Sequence, residues 1–157
     1  MSLDIIIVNW NSGPWLEKCI RSIYETASEI EFKIIIVDNS STDGSAGNIQ
    51  LEDREILIQS ESNIGFARAC NLGVTKSNSD FLLFLNPDTM VVSPVLESAI
   101  SFLSSNPSVG IGGVRQVSER GETIPCCSRF LRLKNLINDV IGLSKLFLYS
   151  MKPANIK

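Results

Sequence analysis

Residues 34–45 read IIIVDNSSTDGS, a wholly apolar run that changes at Asp38 into a polar cluster. A β-branched run without a polar position fits a strand that is buried on both faces of a parallel sheet. Ser, Asn, Asp and Gly in succession are typical of turns and of helix starts. We therefore predict a strand over residues 32–37 that delivers Asp38 to a loop, followed by a turn and a helix entry within residues 39–45.

The same change from apolar to polar residues occurs twice more in the chain. Residues 3–8, apolar apart from Asp4, and residues 81–85 are runs of strand length, and each is followed by an asparagine, Asn9 and Asn86. Apolar residues at helical spacing predict helices over residues 14–27, 65–76 and 95–103, and shorter apolar runs predict strands over 56–59 and 109–114. Strands that alternate with helices imply an α/β fold, with a mostly parallel sheet covered by helices on both faces.

Composition narrows the classes of protein that fit. The chain has 157 residues, 44% of them hydrophobic and 20% charged, as in one soluble globular domain. Its net charge of −3 argues against a nonspecific nucleic-acid binder, so we expect no nucleic-acid partner. The apolar runs are shorter than the roughly 20 residues of a spanning helix. Asp4 stands where a secretory signal would carry a basic residue, which favours the cytoplasm.

Histidine is absent and the cysteines are few. Without histidine, His-based triads, His general bases and the usual zinc sites are excluded. The cysteines have no C-x-x-C spacing, and we expect them to be reduced and inert: Cys19, Cys70, Cys126 and Cys127. Any metal must then be a hard cation on oxygen ligands, such as Mg²⁺ or Mn²⁺.

The sequence pattern changes after Arg115, which divides the chain into residues 1–115 and 116–157. Residues 118–123 predict a hairpin or exposed loop around Gly121. Beyond it, apolar residues from Leu133 to Phe147 or Leu148 recur at helical spacing. Nothing downstream in the sequence receives this stripe, so we interpret it as core or as an interface, with a helix on a membrane surface as the alternative.

Polar residues follow the predicted strands at one edge of the sheet, where open parallel sheets bind their ligands. They form three clusters: Asn9, Trp10 and Asn11; Asp38 and Asn39; Asn86, Pro87 and Asp88. An aromatic ring can stack on a base, and a carboxylate can accept from a base N–H or a ribose hydroxyl. A cation on a second carboxylate, Asp88, can neutralise a diphosphate. The clusters therefore predict a nucleotide site.

Simpler interpretations of these residues remain open at this point. Asp38 could cap a following helix through Ser40 or Ser41. Trp10 could be ordinary packing, and residues 86–89 could be only a β-turn. Asn63 and Asn71, on either side of Gly65, could be a turn residue and a helix cap.

Together these stretches resemble the inverting family-2 glycosyltransferases of GT-A fold, which are Rossmann-like nucleotide-diphospho-sugar transferases. The blocks that carry the resemblance stand in order, at residues 7–11, 37–45, 63–71 and 84–89. The last block contains Asn-Pro-Asp-Thr in place of the metal-binding D-x-D, so Asn86 replaces its first acid and one carboxylate remains. This form resembles the rhamnosyltransferase-like subgroup, whose donors are commonly dTDP-linked or UDP-linked sugars.

The resemblance implies a role for each residue of the donor site. Asp38 would contact the base, Trp10 and the Val8 backbone would line its pocket, and Asn86 would lie near the ribose. Asp88 would bind Mg²⁺ or Mn²⁺, and the donor pocket would be shaped less directly by Asn63, Gly65 and Asn71. Residues 1–115 would then be the nucleotide-sugar-binding half of the GT-A fold, and 116–157 a loop and amphipathic helix that lead to an acceptor region absent from this sequence.

The activity implied is transfer of a sugar, rhamnose among the candidates, to a glycan or lipid-linked acceptor with inversion, as in polysaccharide synthesis. An inverting enzyme needs a carboxylate as general base. Glu119, Glu122 and Asp139 do not lie in the family's acidic motif, so we assign no base. Contact with the inner face of the membrane and a homodimer through the C-terminal helix are further expectations.

Other classes of protein compete with this interpretation. A non-catalytic nucleotide-sugar-binding module, such as a truncated relative, would bind without turnover. A dinucleotide-binding dehydrogenase would need G-x-G-x-x-G after the first strand, where residues 11–15 read NSGPW. A P-loop is also missing, and so is the glycine-rich, Arg-bearing loop of a sugar-nucleotide pyrophosphorylase.

Overall fold

The computed structural model describes residues 1–27, 29–47, 49–92 and 94–124. Its elements, in chain order, are β1 (Ser2–Asn9), α1 (Trp15–Thr26), β2 (Glu31–Asp38), β3 (Glu55–Gln59), α2 (Phe66–Val74), β4 (Phe81–Leu85), α3 (Val95–Ser105), β5 (Gln116–Val117) and β6 (Thr123–Ile124). The chain divides into two units, Met1–Val114 and Arg115–Lys157. Within the described part, no helix has the length and apolar character needed to cross a membrane.

A four-stranded sheet in the order β3-β2-β1-β4 forms the first unit. Every pair of neighbouring strands in it is parallel, as predicted. The register pairs Asn9 with Asp38 and Ile7 with Leu85. The carboxyl ends of β1, β2 and β4 therefore meet at one edge of the sheet, and the polar loops start there.

One face of the sheet packs on helix α1. Ile5 and Ile7 of β1 and Ile34 of β2 are fully buried in one cluster with Leu16 and Ile23 of α1. Burying each such side chain stabilises the fold by about 1.5–3 kcal/mol. The helical spacing of apolar residues in the sequence predicted this face of α1, and the structure confirms it.

Helix α2 packs on the opposite face through small residues. Its buried positions are Ala69, Cys70 and Gly73. A Cβ on Gly73 would lie 2.7 Å from Cγ2 of Ile6 and 3.2 Å from Cγ2 of Val37. The close approach of α2 to β1 and β2 thus depends on a glycine at this position.

We predicted that helices cover both faces of the sheet, but one face of strand β4 is left partly exposed. Its residues Leu82 and Phe84 lie opposite Asp4 and Ile6, on the α2 face, and remain 42% and 48% exposed. Helix α2 lies over β1 and β2. An edge strand with exposed apolar side chains is therefore part of this unit.

Two predicted elements are wrong. Residues 109–114 form no strand, and Ile111 is 93% exposed. Gly110, Gly112 and Gly113 leave this segment few side chains to pack, which disfavours a strand. The described residues between β2 and β3 contain no helix either, because the polar side chains of residues 39–45 bind neighbouring loops.

The second unit is described over residues 115–124. Strands β5 and β6 pair antiparallel, and the Ser118 N–H donates to the Glu122 carbonyl at 2.8 Å. Gly121 has a φ of +77°, which glycine adopts without strain. The predicted hairpin is confirmed. Cys126, Cys127, Asp139 and the predicted helical stripe from Leu133 lie outside the described residues.

Candidate functional site

The loops that follow β1 and β2 begin side by side. The Asn39 N–H donates to the Asn9 carbonyl at 2.8 Å, and the Ser60 N–H after β3 donates to the Asp38 carbonyl at 2.9 Å. These bonds continue the parallel ladder just past the strand ends. They fix where the polar loops leave the sheet.

A buried hydrogen-bond network connects the two loops at Asn9. The Asn9 side chain is fully buried, and its Nδ2 lies 2.8 Å from Asp38 Oδ1, 3.0 Å from Ser41 Oγ and 2.9 Å from Ser45 Oγ. The Ser12 hydroxyl donates to Asn9 Oδ1. Asn9 therefore binds residues of both loops.

Asp38 lies inside this network, with 5% of its surface exposed. Asn9 donates to Oδ1, and the Ser41 N–H donates to Oδ2 at 3.2 Å. A carboxylate has about four acceptor positions, so each oxygen keeps capacity for a further donor. The helix-cap alternative for Asp38 is wrong, because no helix follows it in the described residues, although Asp38 does stabilise the local turn.

Further hydrogen bonds hold the two loops together near the surface. The Gly13 N–H donates to Asp43 Oδ2 at 2.7 Å, and the Thr42 N–H donates to Asn11 Oδ1 at 2.8 Å. Bonds from the hydroxyl and N–H of Ser45 lower the pKa of the Asp43 carboxyl. Asn11 and Ser40 have positive φ values of 52° and 65°. Such backbone is held only where the surroundings fix it, and it clusters at functional sites.

Trp10 and Val8 differ in exposure. The Trp10 side chain is 58% exposed directly beyond the last residue of β1, so it is not ordinary core packing. Val8 is buried against α2 in a cluster with Val37 and Ala69. An exposed indole at the carboxyl edge of the sheet is available to stack on a planar base.

The loop before α2 is joined to the end of β2 by asparagine side chains. Asn39 Nδ2 donates to Asn63 Oδ1 at 2.9 Å, and the Ile64 N–H donates to Asn39 Oδ1 at 2.8 Å. Gly65 follows with a φ of +81° at the N-cap of α2. Asn63 is thus the turn residue that the simpler interpretation describes, and it also contacts the strand-end cluster.

Asn71 is a different case from Asn63. It lies within α2 and is exposed, so the helix-cap alternative for it is wrong. In the described part of the chain its side chain makes no hydrogen bond to the Asn9 and Asp38 network. The structure brings Asn63 to the strand-end cluster by a direct contact with Asn39, places Gly65 next to it through the hydrogen bond from the Gly65 N–H to Asn63 Oδ1, and gives no such contact for Asn71.

The loop after β4 presents Asp88 at the tip of a turn. Both the N–H and the hydroxyl of Thr89 donate to the Asn86 carbonyl, at 3.2 and 2.7 Å, so the β-turn alternative is correct as local geometry. Asn86 and Asp88 are both exposed. No donor among the described residues binds the Asp88 carboxylate, which is therefore free to accept a ligand.

Helix α1 contacts this turn through the side chain of Cys19. The Cys19 thiol donates to the Asn86 carbonyl, with 3.6 Å between Sγ and O. Burial raises the pKa of the Cys19 thiol to about 12, and the charge of Asp88 adds to the rise while a Thr89 hydrogen bond opposes it. The Cys19 thiol is thus protonated and inert, as the sequence predicted.

The metal that the sequence implies needs oxygen ligands at this edge. The described residues contain no group of three or more His, Cys, Asp or Glu side chains that could hold a metal alone. Mg²⁺ and similar cations are commonly held by one or two carboxylates together with substrate phosphates and water. A single free carboxylate at Asp88 fits that ligand set, with the remaining ligands coming from a bound diphosphate.

Cavities occur at the opposite edge of the sheet. One of about 390 Å³ is lined by Tyr24, Glu52, Asp53 and Arg54. Its lining residues lie near the amino ends of β2 and β3, away from Asp38 and Asp88. The carboxyl edge collects the free carboxylate, the exposed indole and the buried network, so we take that edge as the candidate site.

Sequence reasoning missed part of this site. The sequence places Asn9 and Asn39 at the ends of strands but predicts no binding role for either. For Ser41 and Ser45 it predicts only a turn and helix entry. One feature of the sequence could have indicated the role of Asn9, namely an amide side chain at the last position of a mostly apolar strand. Such a residue is buried with its strand and must find hydrogen-bond partners there.

Comparison with known proteins gives matches in sequence and in structure. The sequence model of Glycosyl transferase family 2 matches residues 4–146. The chain is 29% identical over 129 residues to the glycosyltransferase EpsJ of Bacillus subtilis, and this match covers 78% of the chain and 37% of that protein.

Two solved structures share the fold. S. aureus TarS 1–349 in complex with UDP matches 74% of this chain and 38% of its own, with a TM-score of 0.61 and 23% identity. The mannosyltransferase PcManGT from Pyrobaculum calidifontis, in complex with GDP-Man and Mn²⁺, matches 69% of this chain and 33% of its own, with a TM-score of 0.61 and 21% identity. These matches confirm the predicted GT-A fold. The chain spans between 33% and 38% of the length of the three proteins.

Proposed function

The chain belongs to glycosyl transferase family 2, and on that premise we propose that it forms the donor-binding part of an enzyme that transfers a sugar from a nucleotide diphosphate sugar. One observation carries the proposal. The carboxyl edge of the sheet holds an exposed indole, a buried carboxylate and a free carboxylate on the loops after β1, β2 and β4. These groups suit the base and the diphosphate of one nucleotide.

We assign the base to the loops after β1 and β2. The exposed ring of Trp10 stacks on it, and Asp38 accepts a hydrogen bond from the base through the acceptor capacity that Asn9 and Ser41 leave unused. The Val8 backbone lines the pocket. Asn63 shapes its far side through its contact with Asn39, Gly65 does so through its hydrogen bond to Asn63, and Asn71 contributes from α2.

We assign the cation and the ribose to the loop after β4. Asp88 binds Mg²⁺ or Mn²⁺ together with the donor diphosphate, and Asn86 lies near the ribose. When bound, the cation stabilises the negative charge on the departing diphosphate. The PcManGT complex with GDP-Man and Mn²⁺ supports this choice of metal by analogy.

The donor and acceptor are proposed at the level of chemical class. The proposal of a UDP-linked or dTDP-linked sugar, with rhamnose among the candidates, rests on the Asn-Pro-Asp-Thr sequence at residues 86–89. The TarS complex with UDP supports a uridine nucleotide. Transfer is to a glycan or lipid-linked acceptor with inversion, as in polysaccharide synthesis. We further propose that the enzyme works in the cytoplasm at the inner face of the membrane and that the apolar stripe predicted from Leu133 onward mediates a homodimer.

An observation favours a second candidate, a nucleotide-sugar-binding module without catalysis. Inversion requires a carboxylate base for the acceptor hydroxyl. At the carboxyl edge, Asp38 and Asp43 already accept hydrogen bonds from the loops, and Asp88 is assigned to the cation. None of these three carboxylates is available as the base, which leaves binding without catalysis as the second candidate.

Calorimetric titration of the chain with UDP and dTDP, with and without Mn²⁺, tests the donor site. Asp88→Ala is expected to abolish the increase in affinity that Mn²⁺ gives, and Asp38→Ala to weaken binding with or without the cation. Asp53→Ala is the matched control, because this exposed acid lies at the opposite edge of the sheet. Absence of nucleotide binding by the wild-type chain would contradict the proposal, and hydrolysis of a UDP-sugar by the intact enzyme would separate transferase from binding module.

A further inference from the structure

Asn9 is the polar residue that connects the most parts of the candidate site. Its amide nitrogen lies within 3.0 Å of three acceptors, on Asp38, Ser41 and Ser45. Its side-chain oxygen accepts from Ser12, and its backbone carbonyl accepts from Asn39. One fully buried side chain thus links the loop after β1 to the loop after β2.

The position of Asn9 follows from the strand register. Asn9 and Asp38 are directly paired across the parallel strands β1 and β2. Their side chains lie on the same face of the sheet, so the amide and the carboxylate meet without any adjustment of the loops. The last pair of the β1–β2 ladder, Asn9 with Asp38, is therefore polar, whereas the pairs before it are mostly apolar.

Among the described residues, only hydrogen-bond dipoles compensate the buried charge of Asp38. Within the described residues the one ion pair is Arg21 with Glu17, on the surface of α1, and no cation contacts Asp38. The Asn9 amide and the Ser41 N–H are its hydrogen-bond donors. A carboxylate held by a few oriented donors loses its fixed orientation when one of them is removed.

We propose that Asn9 is a positioning residue of the donor site, which holds the Asp38 carboxylate in the orientation that reads the base. This role rests on the proposed function, because it assumes that Asp38 contacts the base. Asn9 itself touches no ligand. It fixes one carboxylate oxygen and ties down Ser41, so the remaining acceptor positions of Asp38 face the nucleotide.

The role predicts a selective loss of base recognition. Uracil presents an N3–H donor, whereas cytosine presents an N3 acceptor, so a correctly oriented carboxylate favours UDP over CDP. Asn9→Ala removes the donor, and we expect UDP affinity to fall by about tenfold or more, as for a hydrogen bond to a charged group. The preference for UDP over CDP falls with it. The ratio of affinities with and without Mn²⁺ stays constant, because Asp88 lies on another loop.

Asn9→Asp gives a second variant of nearly the same shape. It replaces the donor with a carboxylate next to Asp38, so two acceptors face each other at hydrogen-bond distance. Such a pair is relieved by sharing a proton. Asp43, held through Ser45, is the other titratable group of this network. We expect the UDP affinity of Asn9→Asp to recover as the pH falls from 8 to 5, more than that of the wild type does.

The control is Ser79→Ala at the opposite edge of the sheet. The Ser79 hydroxyl donates to the Phe81 carbonyl at 2.7 Å and accepts from the Asp4 N–H at 3.1 Å. Its loss removes structural hydrogen bonds of similar length without touching the Asn9 network. A general loss of stability would affect Ser79→Ala and Asn9→Ala alike.

Calorimetry with UDP and CDP, with and without Mn²⁺, is combined with urea unfolding of Asn9→Ala, Asp38→Ala and the double variant. Two results together support the role: a coupling between Asn9 and Asp38 in the unfolding cycle, and a loss of UDP preference in Asn9→Ala that the control Ser79→Ala does not show. Additive unfolding effects, or an unchanged UDP preference in Asn9→Ala, would overturn it. If the wild-type chain binds neither nucleotide while the coupling is present, the proposed function fails, and the role in base recognition fails with it.

Discussion

The backbone N–H of Val91 donates a 2.9 Å hydrogen bond to the hydroxyl oxygen of Ser22. Both residues are buried, and the same hydroxyl donates to the Cys19 carbonyl at 2.7 Å within helix α1. This bond joins α1 to the chain just after the turn that carries Asp88. The position of the proposed cation ligand therefore depends on a helical serine that lies 69 residues before Val91 in the sequence.

Ser22→Ala is expected to destabilise the protein by about 1–3 kcal/mol, because it leaves the buried Val91 N–H without a partner. Urea unfolding measures this cost. The Mn²⁺-dependent part of UDP affinity should also fall, since the Asp88 turn is no longer fixed. Thr26→Ala is the control, because its hydroxyl binds the Ser22 carbonyl of its own helix. Equal costs for the two variants would refute the special role of Ser22.

Gly73→Ala tests the close packing of α2 on the sheet. The new methyl group would lie 2.7 Å from Cγ2 of Ile6, which forces α2 or the Ile6 side chain to move. We expect a loss of about 1–3 kcal/mol in the free energy of unfolding, as for other overpacked cores. Gly110→Ala, where a Cβ meets no atom within 4 Å, should leave stability nearly unchanged. A stable Gly73→Ala protein would mean that α2 packs less closely than described.

The Cys19 thiol predicts a dependence of stability on alkaline pH. Its pKa is raised from 9.0 to about 12 by burial, so the unfolded chain loses this proton before the folded protein does. The contribution is fully present below pH 9 and is lost as the pH rises towards 12, at up to about 1.4 kcal/mol per pH unit. Urea midpoints from pH 8 to 11 should fall more steeply for the wild type than for Cys19→Ala. Parallel curves would contradict the buried, protonated thiol.

Trp10 should carry the stacking contribution to nucleotide binding. Trp10→Ala is expected to weaken UDP binding by about 1–3 kcal/mol, or about fivefold to 150-fold, as for other base–aromatic stacks. Trp15→Ala is the matched control, because the exposed Trp15 ring contacts Lys18 Nζ on α1 at 4.5 Å and has no proposed role in binding the base. In a Trp15→Phe protein, UDP should quench the fluorescence of Trp10. Unchanged fluorescence at saturating UDP would place the base elsewhere.

The sequence predicted the first four strands and the three helices because their patterns are local. The runs within residues 3–8 and 32–37 are buried on both faces of the parallel sheet, as their patterns predicted. The run at 81–85 also forms its predicted strand, although Leu82 and Phe84 stay exposed on one face. The run at 109–114 looked similar but forms no strand, because strand formation also depends on a neighbour to pair with. Phe66 fits the apolar period of α2 but is 56% exposed, since periodicity does not say where the covered area ends.

The sequence by itself determined the class of fold and the edge of the sheet where polar residues collect, since both follow from hydrophobic pattern and strand polarity. Only the tertiary structure decided which of these residues meet. Asn9 and Asp38 lie 29 residues apart, and the register of β1 on β2 makes them neighbours in a buried hydrogen bond. Register is a property of two paired strands and not of either one, and for that reason the role of Asn9 could not be predicted from the local sequence.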